Sequence, residues 1–402
     1  MYNFIIVGGG IVGLSTAYAI KKRNPASAIL ILEKESHPAA HQTGRNSGVI
    51  HSGIYYKPGS KKAELATRGS VRMIQFCKDH GIKYEQCGKV IVATNKDELP
   101  YLDILQERGI QNGLNVRKIT EEELAEREPH VTGKAALYVP EAGIVSYKNV
   151  AEVLVDRLKD YGVEIGFNQY VKGIKCGETS CEVRTQNCRF KGRYIINCGG
   201  LQSDRIANET GANVQHRIVP FRGEYYEIVD ERRHLVNNLI YPVPNPSFPF
   251  LGVHFTRMID GSIHAGPNAV LSLKREGYSK YSFDFVDAWS ALTYPGFWKL
   301  AGKHWREGFR ELHRSLSKSQ FVKSLQKLIP EIREEDLVPS NSGVRAQALN
   351  RDGSLVDDFL IKYHGRTIHV CNAPSPAATA SLEIGDQIAD YVMKHQSTGV
   401  AV

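Results

Sequence analysis

Three glycines near the start of the chain are spaced to bind a phosphate-bearing ligand. A short apolar stretch leads directly into GGGIVG at residues 8–13, which is a GxGxxG pattern. In this pattern Gly8 permits a tight turn, Gly10 lets backbone N–H groups approach a pyrophosphate, and Gly13 lets a helix pack closely on a strand. Glu33 follows about twenty residues later, where a carboxylate accepts hydrogen bonds from a ribose diol and repels a 2′-phosphate. The pattern predicts a dinucleotide site.

Two histidines have the chemistry of a base. Residues 41–56 form a stretch rich in small and polar residues, which lets backbone approach a flat ligand and which carries His51 and Tyr56. His254 belongs to a region of alternating strand pattern, residues 216–270. Neutral histidine near pH 7 can accept a proton, so both are candidates for the site. The alternative for each is a packed or surface side chain.

The elements that must position these residues follow from periodicity. The apolar run before the glycines predicts a buried strand, the spacing of Leu14, Ala17 and Ile20 predicts a helix packed on it, and residues 28–32 predict the second strand of a βαβ unit. The predicted fold class is α/β. Residues 1–80, 148–215 and 340–402 are predicted to form a discontinuous cofactor domain, and residues 81–147 and 216–339 a substrate domain, with a basic aromatic helical segment at 285–330.

Net charge and cysteine content bear on which partners and metals the protein could bind. The net charge is +8, but there is no recognisable nucleic-acid module, and residues 299–327 alone carry eight lysines and arginines against two acidic residues. Nucleic acid is therefore not an expected partner. The seven cysteines have neither CxxC pairs nor zinc spacing, so we expect free thiols and no metal, while covalent attachment of a cofactor to one of them stays open.

The basic segment has a second property. All three tryptophans, Trp289, Trp298 and Trp305, lie in it, and Trp298, Trp305, Phe309 and Leu316 keep near-helical spacing. Such a helix can lie on an anionic bilayer or pack on its own domain, and both interpretations stay open. The first strand begins too early for a signal peptide, and no apolar run is long enough to span a bilayer. We expect a cytoplasmic protein, or one peripheral on the inner face of the cytoplasmic membrane.

Several longer motifs, taken in order, resemble one known family. They are HSGIYY at 51–56, PFRGEY at 220–225, GPNA at 266–269, GVRAQ at 343–347 and NAPSPAAT at 372–379. With the glycine fingerprint, they make the whole chain similar to the L-2-hydroxyglutarate dehydrogenase/oxidase family, within the D-amino-acid-oxidase superfamily. The resemblance implies a Rossmann-like FAD-binding domain and a substrate domain of mixed and antiparallel sheet with a helical cap.

The resemblance also implies an activity. It is the oxidation of L-2-hydroxyglutarate to 2-oxoglutarate, with FAD rather than NAD taking the hydride while a base removes the hydroxyl proton. We expect the electrons to pass on to a membrane quinone, with an anionic lipid surface as a second partner. An amine or amino-acid oxidase of the same superfamily, or a flavoprotein without hydroxy-acid activity, stays open as the alternative.

Site residues follow from the resemblance and from residue chemistry. His51 is the first choice for the base and His254 the second. Arg345 is expected to clamp the substrate carboxylate through its planar fork, with Tyr56 beside it. Arg222 and Arg257 are weaker candidates for the distal carboxylate, for which ordinary ion pairing is the alternative. The residues expected at the cofactor are Gly8, Gly10, Gly13, Glu33, Lys34, Thr43, Ser47, Gly48, Val171, Gly199, Pro376, Ala377 and Ala378.

Overall fold

The chain contains 22 strands and 11 α-helices in the computed structural model, which describes residues 1–244 and 251–398. The strands are β1 (Tyr2–Val7), β2 (Ile29–Leu32), β3 (Val49–Ile50), β4 (Tyr84–Glu85), β5 (Lys89–Ala93), β6 (Arg117–Ile119), β7 (Ala135–Val139), β8 (Gly143–Val145), β9 (Glu164–Gly166), β10 (Gly173–Cys176), β11 (Cys181–Arg184), β12 (Arg189–Asn197), β13 (Arg217–Gly223), β14 (Tyr226–Ile228), β15 (Leu239–Pro242), β16 (His254–Arg257), β17 (Ile263–Gly266), β18 (Val270–Leu271), β19 (Leu337–Pro339), β20 (Gly343–Leu349), β21 (Leu360–His364) and β22 (Thr367–Asn372). The α-helices are α1 (Ile11–Arg23), α2 (Lys61–Asp79), α3 (Leu99–Gln111), α4 (Glu121–Arg127), α5 (Tyr147–Asp160), α6 (Ser203–Glu209), α7 (Phe285–Leu292), α8 (Pro295–Lys303), α9 (Trp305–Leu316), α10 (Lys318–Leu325) and α11 (Ser381–Thr398).

The first large sheet contains the βαβ unit at the N-terminus. Its strands run in the order β10-β11-β12-β1-β2-β9, and β22 pairs with β12 and with β21. β1 is parallel to both β2 and β12, which places the glycine turn at the carboxyl edge of the sheet. Phe4 and Ile6 of β1 pack with Leu14 and Ile20 of α1 in one buried cluster, because apolar residues recur on one face of that helix. The Rossmann-like unit is therefore present.

The second large sheet lies over a separate core. Its order is β19-β14-β17-β16-β15-β5-β7-β6, antiparallel except where β15 pairs with β5. Val92, Ile240 and Phe255 of this sheet pack against Phe321 and Leu325 of α10. A smaller antiparallel sheet, β18-β13-β20, carries Arg345 on β20. The second large sheet is thus mixed, with one parallel pair of strands, and the smaller sheet is antiparallel, as expected for a substrate domain.

The basic aromatic segment forms separate helices rather than one long helix. α8 ends at Lys303, and His304 has φ −121° and ψ 31°, outside the helical region, before α9 begins. Glu311 and Ser315 lie on the buried side of α9, while Trp305, Phe309 and Leu316 are exposed. Across residues 1–244 and 251–398, no helix combines the length and apolar character needed to cross a bilayer.

The expectation that all cysteines are free thiols is wrong for two of them. Cys176 and Cys181 form a disulfide, because β10 and β11 make a hairpin in which these two residues are directly opposite one another. Cysteine spacing alone does not reveal such a pair, since the turn that joins the two strands sets the register. The free thiols are Cys77, Cys87, Cys188, Cys198 and Cys371.

Candidate active site

One large cavity runs from the glycine turn to the two candidate histidines. Its volume is about 1180 Å³, larger than the roughly 300–1,000 Å³ of an ordinary small-molecule pocket. Its walls come from the first sheet, from the loop around His51, from β16 and β20, and from the turn before α11. The cavity therefore has room for a dinucleotide and a small second ligand.

At the end of the cavity next to the glycine turn, backbone geometry explains why glycine is required at two positions. Gly8 has φ +114°, and a Cβ there would lie 2.5 Å from the carbonyl oxygen of Cys198. A Cβ on Gly13 would collide with the carbonyl oxygen of Gly8, so helix α1 approaches the turn only with glycine there. Glu33 accepts hydrogen bonds from the N–H groups of Gly9 (2.7 Å) and Glu35 (3.0 Å). This carboxylate thus holds the turn, and it also faces the cavity.

Thr43 and Lys34 form hydrogen bonds at the same end of the cavity, next to the glycine turn. The Thr43 hydroxyl accepts a hydrogen bond from the N–H of Ile11 at 3.0 Å, capping the first turn of α1. The Lys34 ammonium contacts Glu35, His41 (2.8 Å) and Glu276 (2.9 Å). Those last three side chains lie close enough together to ligate a metal ion, but the Lys34 ammonium already contacts all three and supplies the positive charge.

Most of the residues expected at the cofactor lie in the cavity wall. They are Gly8, Gly10, Glu33, Lys34, Thr43, Ser47, Val171, Gly199, Pro376, Ala377 and Ala378. Gly13 and Gly48 do not line it. Gly13 lies behind Gly8, and Gly48 has φ +64° with its Cβ position 2.8 Å from the carbonyl oxygen of Val145. These two glycines serve close backbone packing.

At the other end, His51 and His254 line the cavity. Burial is the main cause that lowers the pKa of each imidazole to about 3, and nearby cations, Lys89 among them, contribute to the same shift. Both rings are therefore neutral near pH 7. The Nδ1 of His254 lies 2.9 Å from the carbonyl oxygen of Gly252, which can only accept, so Nδ1 carries the proton and Nε2 keeps its lone pair.

His51 lies where the two ends meet. Its backbone N–H donates to the hydroxyl of Thr379 at 3.2 Å, and that hydroxyl also bonds the Tyr147 hydroxyl at 2.7 Å. Thr379 belongs to the same turn as Ala377 and Ala378, just before α11 begins at Ser381. The turn predicted to cover the cofactor is thus fastened to the residue predicted to act as the base.

Arg345 and Tyr56 also line this end. Burial lowers the pKa of the Arg345 guanidinium, and the nearby Tyr225 and Glu311 act in the opposite direction. Lys62 lies over the Tyr56 ring, with its ammonium 4.9 Å from the centroid, and donates to the backbone carbonyl of Asp357 at 3.0 Å. The wall around the histidines therefore carries a surplus of positive charge.

Arg222 and Arg257 are placed elsewhere, which corrects the expectation for both. Arg222 is buried and forms an ion pair with Glu224 at 2.8 Å, and it also donates to the Ser279 carbonyl. Arg257 forms an ion pair with Glu85 and reaches Asn238 at 3.3 Å. Neither lines the cavity, and each guanidinium is already held by a nearby carboxylate.

Three residues at this end carry no prediction from the sequence. Tyr241 lines the cavity, Lys89 lies over the rings of Tyr55 and Tyr241, and Thr379 fastens His51. Tyr55 lines the cavity as well, which agrees with its place beside His51 and Tyr56 in the HSGIYY motif. Lys89 begins a strand of otherwise apolar residues, KVIVA, and this isolated charge was the available signal.

Comparison with known proteins decides the family. The model of the FAD dependent oxidoreductase family matches residues 3–391. The chain belongs to this family. L-2-hydroxyglutarate dehydrogenase of Indibacter alkaliphilus is 49% identical over 98% of this chain and 99% of that protein. The enzyme of the same name from Escherichia coli K12 is 46% identical (98% and 93%), and the mitochondrial one from Homo sapiens is 44% identical (98% and 89%).

Solved structures agree on the fold. L-alpha-glycerophosphate oxidase from Mycoplasma pneumoniae, with FAD bound, has a TM-score of 0.80 at 22% identity, covering 98% of this chain and 94% of that one. Glycine oxidase from Geobacillus kaustophilus has a TM-score of 0.73 at 18% identity, covering 98% and 95%. The predicted fold class, a Rossmann-like FAD-binding unit with a mixed-sheet substrate unit, is confirmed.

FAD is the cofactor of this family member, and the cavity fits it. The Gly10 position is open toward the cavity, and the nearest atom to a Cβ there would be the Thr43 hydroxyl at 3.3 Å. Glu33 lies at the end of β2, where it can meet a ribose diol. When bound, FAD supplies a two-electron acceptor for a hydride. The chain is thus an FAD-dependent oxidoreductase that acts on a hydroxy acid.

Proposed function

We propose that this protein oxidises L-2-hydroxyglutarate to 2-oxoglutarate, with the hydride passing to FAD. The observation that carries the proposal is one cavity in which an arginine, Arg345, shares the wall with two neutral histidines. A hydroxy acid needs a cation for its carboxylate and a neutral base for its hydroxyl proton. The names and full-length similarity of the curated relatives support the same substrate.

Each side chain has a defined task in this proposal. Arg345 binds the carboxylate beside the reacting carbon and thereby fixes which hydrogen faces the cofactor. His51 accepts the hydroxyl proton, since Thr379 holds its backbone at the boundary between the cofactor turn and the substrate end. His254 packs on the Tyr241 ring and shapes the wall beside the substrate, and its Nε2 lone pair makes it the second candidate for the base, because its own Nδ1 is committed to Gly252. Tyr56 closes the wall against water.

A substrate panel tests this assignment against the amine-oxidase alternative. The purified yellow protein is mixed under anaerobic conditions with L-2-hydroxyglutarate, its D-enantiomer, glycerol 3-phosphate, glycine or L-proline, and flavin absorbance is followed. We expect fast bleaching with L-2-hydroxyglutarate alone. Fast bleaching with glycine or L-proline, and none with the hydroxy acid, would establish an amine or amino-acid oxidase instead.

The second part of the proposal concerns the electron acceptor. Helices α7–α9 expose a set of large aromatic and aliphatic side chains, called the aromatic face below: Phe285, Trp289, Trp298, Trp305, Phe309, Leu312 and Leu316. The cations of residues 299–327 lie among these side chains in the sequence. We propose that this face binds an anionic phospholipid membrane, where aromatic rings enter the interface and cations meet lipid charge. An enzyme bound in this way would be placed to give the electrons that FAD accepts to a membrane quinone.

The buried side of α9 is hydrogen-bonded to neighbouring segments of the chain. Glu311 accepts a hydrogen bond from the N–H of Ala269 at 2.9 Å, and the Ser315 hydroxyl donates to Glu224 at 2.7 Å. The alternative to membrane binding is that the basic aromatic segment only packs on its own domain. This alternative explains why Glu311 and Ser315 of α9 are buried. It leaves the exposed aromatic residues on the other side unexplained.

Sedimentation with anionic liposomes tests the membrane contact. We expect the protein to pellet at low salt, to be released at high salt, and to remain in the supernatant when Trp305 and Phe309 are both changed to serine. Val71→Ser on α2 is the matched control, since Val71 is as exposed as Leu316 but lies outside the face. If the wild-type protein stays in the supernatant at low salt and reduces oxygen faster than a soluble quinone analogue, the enzyme is a soluble oxidase.

A further inference from the structure

Lys89 is a buried cation that the roles above do not use. It begins β5, is only 1% exposed, and ranks among the largest fully buried side chains. Its ammonium lies 4.5 Å from the ring centroid of Tyr55 and 4.8 Å from that of Tyr241. Among the described residues, no ion pair joins Lys89 to a carboxylate.

Such a placement opposes folding. A buried ammonium loses its hydration, and without a carboxylate partner little compensates for the loss. Contact with the faces of two aromatic rings offsets only part of the cost. The neighbouring strands would accommodate an apolar side chain of similar length, since β5 is otherwise buried throughout. The position of the charge therefore calls for an explanation other than stability.

The two rings that hold Lys89 form part of the substrate end of the cavity. Tyr55 and Tyr241 both line it, and the His254 ring lies 3.9 Å from the Tyr241 ring, centroid to centroid. The Tyr55 hydroxyl is buried and, within the described part of the chain, has no hydrogen-bond partner. A hydroxyl in this state is available to donate to a ligand, and the Lys89 ammonium lies over the face of the same ring.

We propose that Lys89 is a positioning residue, whose ammonium behind Tyr55 and Tyr241 is the second fixed positive charge for a substrate with two carboxylates. Arg345 is the first. Lys89 acts through the Tyr55 hydroxyl, which a nearby cation makes a stronger donor toward the second carboxylate. This role rests on the proposed function, and it fills the place that Arg222 and Arg257, each held by its own carboxylate, do not fill.

The proposal has a definite pH dependence. Burial lowers the pKa of Lys89 to about 7. A dianion favours the protonated ammonium, so binding takes up a proton above that pKa and weakens as the pH rises. The charged or titratable groups that face this region include His51, Tyr55 and Tyr56 on the loop, Lys62 on α2, Tyr241 on β15, His254 on β16 and Arg345 on β20. Arg108 on α3, which donates to the Tyr55 carbonyl, and Tyr225 also line the cavity, and burial raises the pKa of Tyr225 as well.

These neighbours can be told apart from Lys89. The pKa of both histidines is about 3, and burial raises the pKa of the four tyrosines, so none of the six titrates near pH 7. Burial lowers the pKa of Lys62 as well, which makes Lys62→Met a necessary comparison. Lys118→Met, on the exposed edge strand β6 of the same sheet, is the matched control.

Calorimetric titration of the holoenzyme with glutarate, a dicarboxylate that lacks the hydroxyl, measures this linkage. Two buffers of different ionisation enthalpy at about pH 7.5 give the number of protons taken up. We expect proton uptake in the wild type and in Lys62→Met and Lys118→Met, and none in Lys89→Met. Lys89→Met should also weaken glutarate binding at least about tenfold at pH 6.5 while raising the melting temperature, since it removes an uncompensated charge.

Lys89→Arg separates charge from titration. It should keep glutarate affinity at high pH but lose the proton uptake, because arginine stays charged. The proposal is overturned if the wild type takes up no proton, or if Lys89→Met binds glutarate as tightly as wild type with a lower melting temperature. If either result is obtained while L-2-hydroxyglutarate still bleaches the flavin, the proposed substrate is retained and only the proposed role of Lys89 is rejected.

Discussion

The two ends of the cavity are built in different ways. At the cofactor end, a contiguous stretch of chain supplies the turn, the helix and the second strand, and backbone groups do much of the work, as at Gly8, Gly13 and the N–H of Gly9. At the substrate end, side chains from separate elements converge: His51 from the loop, His254 from β16 and Arg345 from β20. A contiguous backbone site can be recognised in sequence, whereas a convergent side-chain site depends on the whole fold.

The difference extends to electrostatics. At the cofactor end, hydrogen bonds and ion pairs compensate the buried charges. Glu33 accepts hydrogen bonds from two backbone N–H groups, and Lys34 contacts two carboxylates. The substrate end instead gathers cations around neutral rings, and burial lowers the pKa of both histidines and of Arg345. The charge of Lys89, which no ion pair among the described residues compensates, suits a site whose ligand is an anion.

The largest expected effect is at Arg345. Arg345→Met should lower kcat/KM for L-2-hydroxyglutarate by roughly a thousandfold, since losing one partner of a buried charge pair costs about 2–5 kcal/mol. Arg345→Lys should recover only part of this loss, because an ammonium cannot make the two-point contact. Steady-state kinetics with a quinone analogue measures both.

Arg257→Met provides the control for this prediction. Arg257 forms its ion pair with Glu85 outside the cavity, so we expect KM to change by less than about twofold. A large rise in KM for Arg257→Met together with wild-type behaviour of Arg345→Met would reverse the two assignments.

The next effect separates the two histidines. His51→Ala should slow flavin reduction by about a hundredfold or more while FAD stays bound, the usual loss when a positioned base is removed. His254→Ala should mainly raise KM. Stopped-flow reduction at saturating substrate measures the rates, and His37→Ala, at an exposed histidine, is the control. A normal rate for His51→Ala with a slow one for His254→Ala would assign the base to His254.

The smallest effect is expected at the cofactor end. Glu33→Gln should raise the Kd for FAD by roughly tenfold without changing the reduction rate once FAD is saturating, because it weakens the hydrogen bonds that hold the turn and meet the ribose. Glu182→Gln, on β11 of the same sheet and exposed, is the control. Unchanged FAD binding would limit Glu33 to a minor role.

Some of the site was predictable from sequence for a physical reason. Gly8, Gly10 and Glu33 follow one another at fixed spacing because one turn and one strand set their positions. The α/β fold class follows from the same periodicity. The break between α8 and α9 at His304 was harder to predict from the sequence. The apolar spacing continues across it, and only Gly302 and Gly308 weaken the helical pattern.

Other features depend on pairing that the sequence does not encode locally. Arg222 and Arg257 have the same chemistry as Arg345, and only the fold shows that carboxylates of their own region hold them. The disulfide between Cys176 and Cys181 depends on hairpin register, and Lys89 reaches the site only because β5 lies beside β15. Residue type and spacing thus identified candidates, and three-dimensional contacts selected among them.

The most direct test of the account is a single anaerobic turnover. One equivalent of L-2-hydroxyglutarate is mixed with the oxidised holoenzyme, and flavin absorbance and product are measured together. The account predicts that the flavin is fully reduced and that one equivalent of 2-oxoglutarate forms for each FAD. An oxidised flavin with the hydroxy acid recovered unchanged would contradict the proposed reaction.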